Sequence, residues 1–126
     1  MPERIFDAEY IRAYFHEVDQ MNPVGLLAWY GDEGRFRFAN QDAVQGKPAI
    51  KAILEAFYGS IRSMRHQEQG VWVNETSGAM EAYVHFTTQD GRDLILPAVS
   101  VLRVENGLVQ DFRFVMDASP LQQTST

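Results

Sequence analysis

The segment from Asp93 to Val104 constrains the fold of this chain more than any other. It reads DLILPAVSVLRV, and both faces that it would present as a β-strand are apolar apart from the hydroxyl of Ser100. An antiparallel sheet usually leaves one face in water, so a strand of this kind needs cover on both sides. We expect helices to cover one face of its sheet and a second copy of the chain to cover the other.

Helical periodicity dominates the first half of the chain. The apolar spacing predicts an amphipathic helix over 7–21, a short second helix over 24–30, and a long third helix that begins near Pro48. The alternating segment 35–39 predicts a short strand between the second and third helices. These helices are long enough to cover one face of a sheet.

Strand patterns fill the second half. Asp90-Gly91 and Asn106-Gly107 separate alternating segments and are strong hairpin signals, because both turn residues tolerate a positive φ. Helices followed by a meander predict an α+β, cone-like fold in which N-terminal helices pack on a curved antiparallel sheet. We expect residues 1–126 to form one domain with a loose polar tail at about 122–126. The strand candidates lie at about 64–73, 79–89, 92–104 and 108–117.

Composition excludes several classes of function. The net charge is −6, without a Lys/Arg cluster, which argues against nucleic acid as a partner. There is no cysteine, so disulfides and Cys-based zinc sites are excluded. With few inward-facing histidines we expect no metal, and no motif calls for a cofactor. No apolar segment is long enough for a signal peptide or a membrane span, so we expect a cytoplasmic protein that does not contact a membrane.

Several segments resemble the nuclear transport factor 2-like superfamily, and within it the SnoaL-like polyketide cyclases and the ketosteroid isomerases. They are the helix with Tyr14, the segments 26–30 and 44–50, and the segment 102–109 leading to 114–117. The resemblance covers most of the chain and implies the cone-like, cystatin-like fold with a ligand pocket. It also implies a sheet-to-sheet dimer, which is frequent in this superfamily. Enzymes and binding proteins share the fold, so it does not by itself set the function.

The isomerase chemistry is only partly present. Tyr14 stands where the resemblance places the phenol of the isomerases' oxyanion hole. The segment 37–40 that would hold their general base reads Arg-Phe-Ala-Asn, and their second acid falls at Ser100. Because a carboxylate base and a neutral acid are both missing, the resemblance does not extend to steroid-type isomerisation.

The hairpin register predicts a different site. If Asp90-Gly91 is a two-residue loop, then Glu81, Tyr83 and His85 face the concavity under the helices. His85 would carry the proton, aided by Glu81 or by His66, with Tyr14 and Tyr83 stabilising an oxyanion. His66 joins them only if Gly70 marks a β-bulge. The other predicted ligand-binding residues are Ser100, Trp29, Phe38, Asn40, Phe57, Ile61, Ala98, Leu102, Phe112, Phe114 and Met116.

A register shifted by one residue would reverse this assignment. Glu81, Tyr83 and His85 would then be the wet face of an ordinary strand, and the residues between them would form the core.

Two functions are consistent with such a pocket. One is cofactor-independent acid/base chemistry (isomerase, cyclase, dehydratase or epoxide opening) on a small apolar, carbonyl-type molecule. The other is a non-catalytic binding module for an apolar ligand.

The second face of the sheet predicts a homodimer. An apolar face of this extent is rarely left wet, and a two-fold axis is the commonest way to bury it against its own copy. The residues assigned to it are Ile95, Pro97, Val99 and Val101 on one strand, Met80, Ala82, Val84 and Phe86 on the next, and Val115 on the last.

Overall fold

The computed structural model describes residues 4–122. The three predicted helices and the four-stranded meander are confirmed, while β2 and α4 are additional. The elements in chain order are α1 (Ala8–Asp19), α2 (Pro23–Leu27), β1 (Tyr30–Phe38), β2 (Val44–Gln45), α3 (Lys47–Ser60), β3 (Ile61–Val73), β4 (Ser77–Thr88), β5 (Asp93–Glu105), β6 (Leu108–Val115) and α4 (Ser119–Gln122). Apart from Gln122, the predicted tail lies outside the described residues.

The six strands form one curved sheet in the order β2-β1-β6-β5-β4-β3. All neighbours are antiparallel except β1 and β6, which run parallel with Phe36 opposite Phe112 and Phe38 opposite Phe114. The sheet is therefore mixed, which corrects the predicted antiparallel sheet. The connection from β1 to β6 passes through α3 and the other long strands, so no hairpin imposes an antiparallel pairing.

Two helices cover the concave face. The side chain of Asp7 accepts a hydrogen bond from the backbone N–H of Tyr10 at 2.9 Å, and this contact caps α1 as predicted. Helix α3 begins with Pro48 in its first turn and buries Ile50, Leu54 and Tyr58. The hydroxyl of Tyr58 donates to the carbonyl of Val18 at 2.8 Å, which ties α3 to the end of α1.

The register of β4 and β5 differs from the predicted one by a single residue. His85 lies opposite Ile95, and Val84 lies opposite Leu96. The loop contains three residues rather than two, because the backbone N–H of Thr88 donates to the carbonyl of Arg92, and Gly91 adopts the positive φ of a glycine bulge. This slip turns every side chain of β4 to the opposite face from the one predicted.

The spacing predicts a three-residue loop, Glu105-Asn106-Gly107, between β5 and β6. The structure has a shorter loop there, but the side chains of β6 face as predicted. Asn106 and Gly107 both have positive φ and form a two-residue loop that pairs Glu105 with Leu108. A register shift just beyond Val104 then restores the predicted parity, so that Leu102 lies opposite Phe112.

A bulge in β3 is present next to Gly70, which is the condition that the sequence set for an inward-facing His66. Glu68 pairs with Ala82 and Gly70 with Glu81, which leaves Gln69 as the extra residue. On the N-terminal side of this bulge, His66 lies opposite the fully buried Val84. His66 therefore belongs to the inner face of the sheet.

The outer face of the sheet, opposite the helices, carries exposed apolar side chains. Ile95, Val99, Val101 and Val115 are 59, 37, 40 and 57% exposed, respectively. This part of the predicted apolar face is confirmed. Met80, Ala82, Val84 and Phe86, by contrast, are buried in the core, and Glu81, Tyr83 and His85 take their places on the outer face.

Candidate functional site

A small cavity of about 30 Å³ lies between the helices and the inner face of the sheet. We call it the aromatic cavity, because rings form most of its wall. Apart from Phe57 and His66, all of its lining residues are buried. They are Tyr14, Phe15, Val18, Leu26, Phe36, Phe38, Leu54, Phe57, Tyr58, Met64, His66, Phe112 and Phe114.

The rings pack against one another around this space. Tyr14 packs edge-on against Phe15 with ring centres 5.1 Å apart, and Phe15 packs against His66 at 4.7 Å. Phe36 stacks on Phe112 at 5.3 Å. Contacts of this type hold two of the polar rings of the wall, Tyr14 and His66, in fixed positions.

An aspartate holds the imidazole of His66 from behind. Asp19 Oδ1 lies 2.8 Å from Nδ1 of His66, and Asp19 Oδ2 accepts the backbone N–H of the same residue at 2.8 Å. A carboxylate can only accept hydrogen bonds, so the proton of a neutral imidazole lies on Nδ1. The lone pair of that imidazole is then on Nε2.

The other ring nitrogen has no partner. Nε2 of His66 is buried and makes no hydrogen bond, and it is the only such side-chain nitrogen or oxygen within residues 4–122. The side chain of His66 is 5% exposed and that of Asp19 is 17% exposed. A buried polar atom without a partner costs stability, so it needs an explanation such as a ligand.

Secondary structure places this pair. Asp19 is the last residue of α1, where the negative end of the helix dipole repels a carboxylate. His66 lies on β3, the edge strand, so its backbone N–H can point at the helix instead of at another strand. The end of α1 and the edge of the sheet thus meet at one acid and one imidazole.

A second polar contact lies at the cavity wall, between two tyrosines. The hydroxyls of Tyr14 and Tyr30 are 2.6 Å apart, and both side chains are fully buried. Burial raises the pKa of Tyr14 and of Tyr30 well above the ordinary value, so both phenols keep their protons. Only one of the two protons is needed for the hydrogen bond between them.

Four of the predicted site residues lie outside the core, either on the outer face of the sheet or in a loop. Glu81, Tyr83 and His85 lie on the outer face as a result of the register slip, and Nε2 of His85 lies 2.8 Å from Oε1 of Gln67 there. Asn40 is exposed in the loop after β1. The prediction that His85 faces the concavity is therefore wrong.

The remaining predicted residues are inside the molecule. Tyr14, His66, Phe38, Phe57, Phe112 and Phe114 line the aromatic cavity. Trp29 is buried nearby, with its ring 5.8 Å from that of Tyr14, but it does not line the cavity. The others are buried elsewhere in the core and are Ile61, Ala98, Ser100, Leu102 and Met116.

Two residues of the site were missed at the level of sequence. The sequence prediction does not include Asp19 among the site residues, and it places Tyr30 at the end of the second helix. An acidic residue in the last turn of a helix is electrostatically unfavourable, and this was the one signal that Asp19 had another role. No sequence signal pointed to Tyr30.

Two surface grooves border the cavity. The polar groove, about 320 Å³ in volume, shares Phe15 and His66 with the cavity and also contains Asp19, Arg12 and Arg65. The C-terminal groove, about 390 Å³, shares Phe38 and Phe57 with the cavity. Its lining residues are Phe38, Gln41, Ile53, Ala56, Phe57, Ser60, Ala118, Leu121 and Gln122.

Residues 4–122 contain no group of three or more His, Cys, Asp or Glu side chains arranged to hold a metal ion. Over the same range no helix combines the length and the apolar character needed to cross a lipid bilayer.

Comparison with known proteins identifies the family. The model of the SnoaL-like domain matches residues 11–112, so the chain belongs to the SnoaL-like domain family. The fold is that of nuclear transport factor 2-like proteins, as the resemblance implied. No protein with a curated description matches the sequence.

Solved structures share this fold at low sequence identity. One is a nuclear transport factor 2-like protein of unknown function from Burkholderia pseudomallei, with a TM-score of 0.80, 18% identity, and coverage of 90% of this chain and 92% of that chain. Another is SalBIII, an epoxide hydrolase/cyclase-like enzyme of salinomycin pyran ring formation, with a TM-score of 0.76, 13% identity, and coverage of 88 and 90%. A third is an LEH-like epoxide hydrolase from M. tuberculosis, with a TM-score of 0.74, 11% identity, and coverage of 91 and 85%.

Proposed function

We propose that this protein catalyses proton transfer on a small, uncharged, carbonyl-type molecule in the aromatic cavity, without a cofactor. The observation that carries this proposal is the buried, unpartnered Nε2 of His66, with Asp19 fixed behind the ring. The reaction class is isomerisation, cyclisation, dehydration or epoxide opening. Two of the similar structures, at low identity, are described as an epoxide hydrolase and an epoxide hydrolase/cyclase-like enzyme, which agrees with this class.

His66 is the proposed general base. In its neutral form the lone pair of Nε2 takes a proton from the bound molecule, and the imidazolium that results lies against the carboxylate of Asp19. The same Nε2 then returns the proton to another atom of the molecule. Asp19 is a positioning residue, because it holds the ring through Nδ1 and does not reach the cavity.

Tyr14 is the proposed oxyanion donor. If Tyr30 donates to the oxygen of Tyr14, the proton of Tyr14 is free to donate to a carbonyl oxygen in the cavity. Charge that develops on that oxygen as His66 removes a proton is then stabilised in a cavity with a mostly apolar wall. This role corresponds to the one implied by the resemblance to the isomerases.

The test uses 2-tetralone, an uncharged bicyclic ketone with acidic C–H bonds, in D₂O. Wild-type protein should accelerate deuterium incorporation next to the carbonyl, followed by NMR. His66→Ala should lower the rate by about 10²–10⁴-fold, and Tyr14→Phe by about 10–10³-fold. His16→Ala, which removes an exposed imidazole of α1, is the matched control and should leave the rate unchanged.

Absence of any acceleration by the wild-type protein would refute catalysis on this class of ketone. Equal rates for wild type and His66→Ala would show that another group carries the proton.

The second candidate function is a binding module, and the partners that the polar rings already have inside the protein favour it. Nδ1 of His66 and the hydroxyl of Tyr14 already have partners, and the rest of the cavity wall is apolar apart from Tyr58. 2-Naphthol, a fluorescent bicyclic phenol, distinguishes the two candidates. Tight binding that depends on His66, together with no exchange in 2-tetralone, would favour a binding module.

We also propose a homodimer through the outer face. The exposed side chains of Ile95, Val99, Val101 and Val115 form an apolar surface of the kind that a two-fold axis buries against its own copy. Tyr83 adds a ring to this surface. Arg113 lies opposite Val101 on β6, and Arg103 lies farther along β5. Enrichment in tyrosine is typical of such interfaces.

Sedimentation at micromolar concentration tests the dimer. A monomer mass would refute it, and a dimer that persists in the Val99→Glu/Val101→Glu double variant would place the contact elsewhere. Both side chains are partly exposed, so the double variant should fold. Far-UV circular dichroism of the variant checks that it does.

A further inference from the structure

The aromatic cavity is too small for the molecules that its chemistry suits. Its volume of about 30 Å³ has room for one or two waters. An engineered apolar cavity of about 150 Å³ holds benzene, and pockets for small-molecule ligands usually measure roughly 300–1,000 Å³. A ligand that reaches Nε2 of His66 must therefore extend into additional space.

The C-terminal groove supplies this space. It measures about 390 Å³ and is separated from the cavity by the rings of Phe38 and Phe57, whose centres are 4.7 Å apart. Phe57 is partly exposed, whereas Phe38 is buried. Movement of one side chain, that of Phe57, would join the groove to the cavity.

The side of the cavity that borders the polar groove is less suited to an apolar molecule. There the wall is His66 itself, held by two hydrogen bonds to Asp19, and beyond it lie Arg12 and Glu68, which are joined by a salt bridge at 2.9 Å. Entry from this side would break the Asp19–His66 contacts and bury charged groups. The C-terminal groove has instead Ile53, Ala56 and Leu121 along its sides.

We propose that the ligand is an elongated, uncharged molecule that binds in both spaces. Its oxygen lies in the aromatic cavity, its ring takes the place that the Phe57 ring vacates when it moves, and its apolar remainder lies in the C-terminal groove between α3 and α4. This inference rests on the proposed function, because it takes the position of the oxygen from His66 and Tyr14. It adds a second binding region and a length requirement that the proton transfer does not need.

The test compares two probes, phenol and 4-pentylphenol, by isothermal titration calorimetry. Phenol carries only the ring and hydroxyl, and 4-pentylphenol adds an apolar tail. If the tail lies in the groove, affinity should rise roughly three- to fourfold for each methylene that is buried. Ala56→Trp and Ala118→Trp fill the groove from its two sides, and each should remove this gain, so that the two probes bind with nearly equal affinity.

Glu55→Trp is the control, since it adds the same bulk to α3 at an exposed position that does not line the groove. It should keep the preference for 4-pentylphenol. Equal affinity for the two probes in the wild type, or a preference that survives both groove variants, would overturn the inference. Phenol binding that is unchanged in His66→Ala would instead refute the proposed function, so the two failures are distinguishable.

Discussion

Replacement of Asp19 by alanine should destabilise the protein through the loss of two hydrogen bonds to one carboxylate. Both are made to His66, one from its backbone N–H and one at Nδ1, each at 2.8 Å. A hydrogen bond to a charged group contributes about 1.5–3 kcal/mol net, so the pair contributes about 3–6 kcal/mol.

Two effects reduce this figure. Asp19 borders the polar groove, so water can replace part of what the carboxylate provided. The variant also removes a carboxylate from the C-terminal end of α1, which returns about 0.3–1 kcal/mol. We therefore expect Asp19→Ala to lower the free energy of unfolding by about 2–4 kcal/mol.

Urea denaturation followed by tryptophan fluorescence measures this quantity. The midpoint should fall by roughly 1–2 M with an unchanged slope, because the slope reports the surface exposed on unfolding. Asp19→Asn should show a smaller loss, since its amide keeps one acceptor oxygen. Asp42→Ala, in the exposed loop after β1, is the control and should stay within about 0.5 kcal/mol of wild type. A loss for Asp19→Ala that equals that of Asp42→Ala would refute the reasoning.

Three further outcomes follow from described features. Burial raises the pKa of Tyr14 and Tyr30 in the folded state. The contribution of these two phenols to the free energy of unfolding should therefore be constant below the ordinary tyrosine pKa of about 10. Above that pH it should fall by about 1.4 kcal/mol per pH unit for each phenol. Urea titrations between pH 9 and 11.5 check this, and the same decline in a variant with both tyrosines changed to phenylalanine would contradict it. Gly91→Ala should cost about 1 kcal/mol, because the φ of +86° strains an L-residue. Gly59→Ala should instead stabilise the protein by about 0.5 kcal/mol, since Gly59 lies in α3 with open space around the new methyl. Calorimetric melting measures both glycine variants. A stabilised Gly91→Ala or a destabilised Gly59→Ala would contradict the structure.

The sequence was sufficient for the fold because its signals are local and repeated. The apolar stripe of α3 and the Asn106-Gly107 turn each specify an element from neighbouring residues alone. The inward facing of Phe112 was predicted correctly even though the turn is one residue shorter than expected, because a bulge in β6 compensates for the difference.

The sequence was insufficient for the site because the site depends on the number of residues in one hairpin loop and on one long-range contact. The Asp90-Gly91 turn admits a two- or a three-residue loop, and the hydroxyl of Thr88, which accepts from the backbone N–H of Arg92 at 2.9 Å, accompanies the longer one. One residue of difference moved His85 from the inner to the outer face. The pairing of Asp19 with a residue 47 positions away has no local signature, so only the packing of α1 on β3 reveals it.

The contact between α1 and the edge of the sheet also bears on solubility. An edge strand presents unpaired backbone groups to which a strand of another molecule can add, and β3 is thirteen residues long. Here Asp19 accepts the backbone N–H of His66, and Arg12 of the same helix pairs with Glu68, two residues further along the strand. Asp19, which holds the imidazole in place, therefore also keeps other strands from this part of the edge. Loss of the acid would then expose the chain to aggregation as well as release the ring.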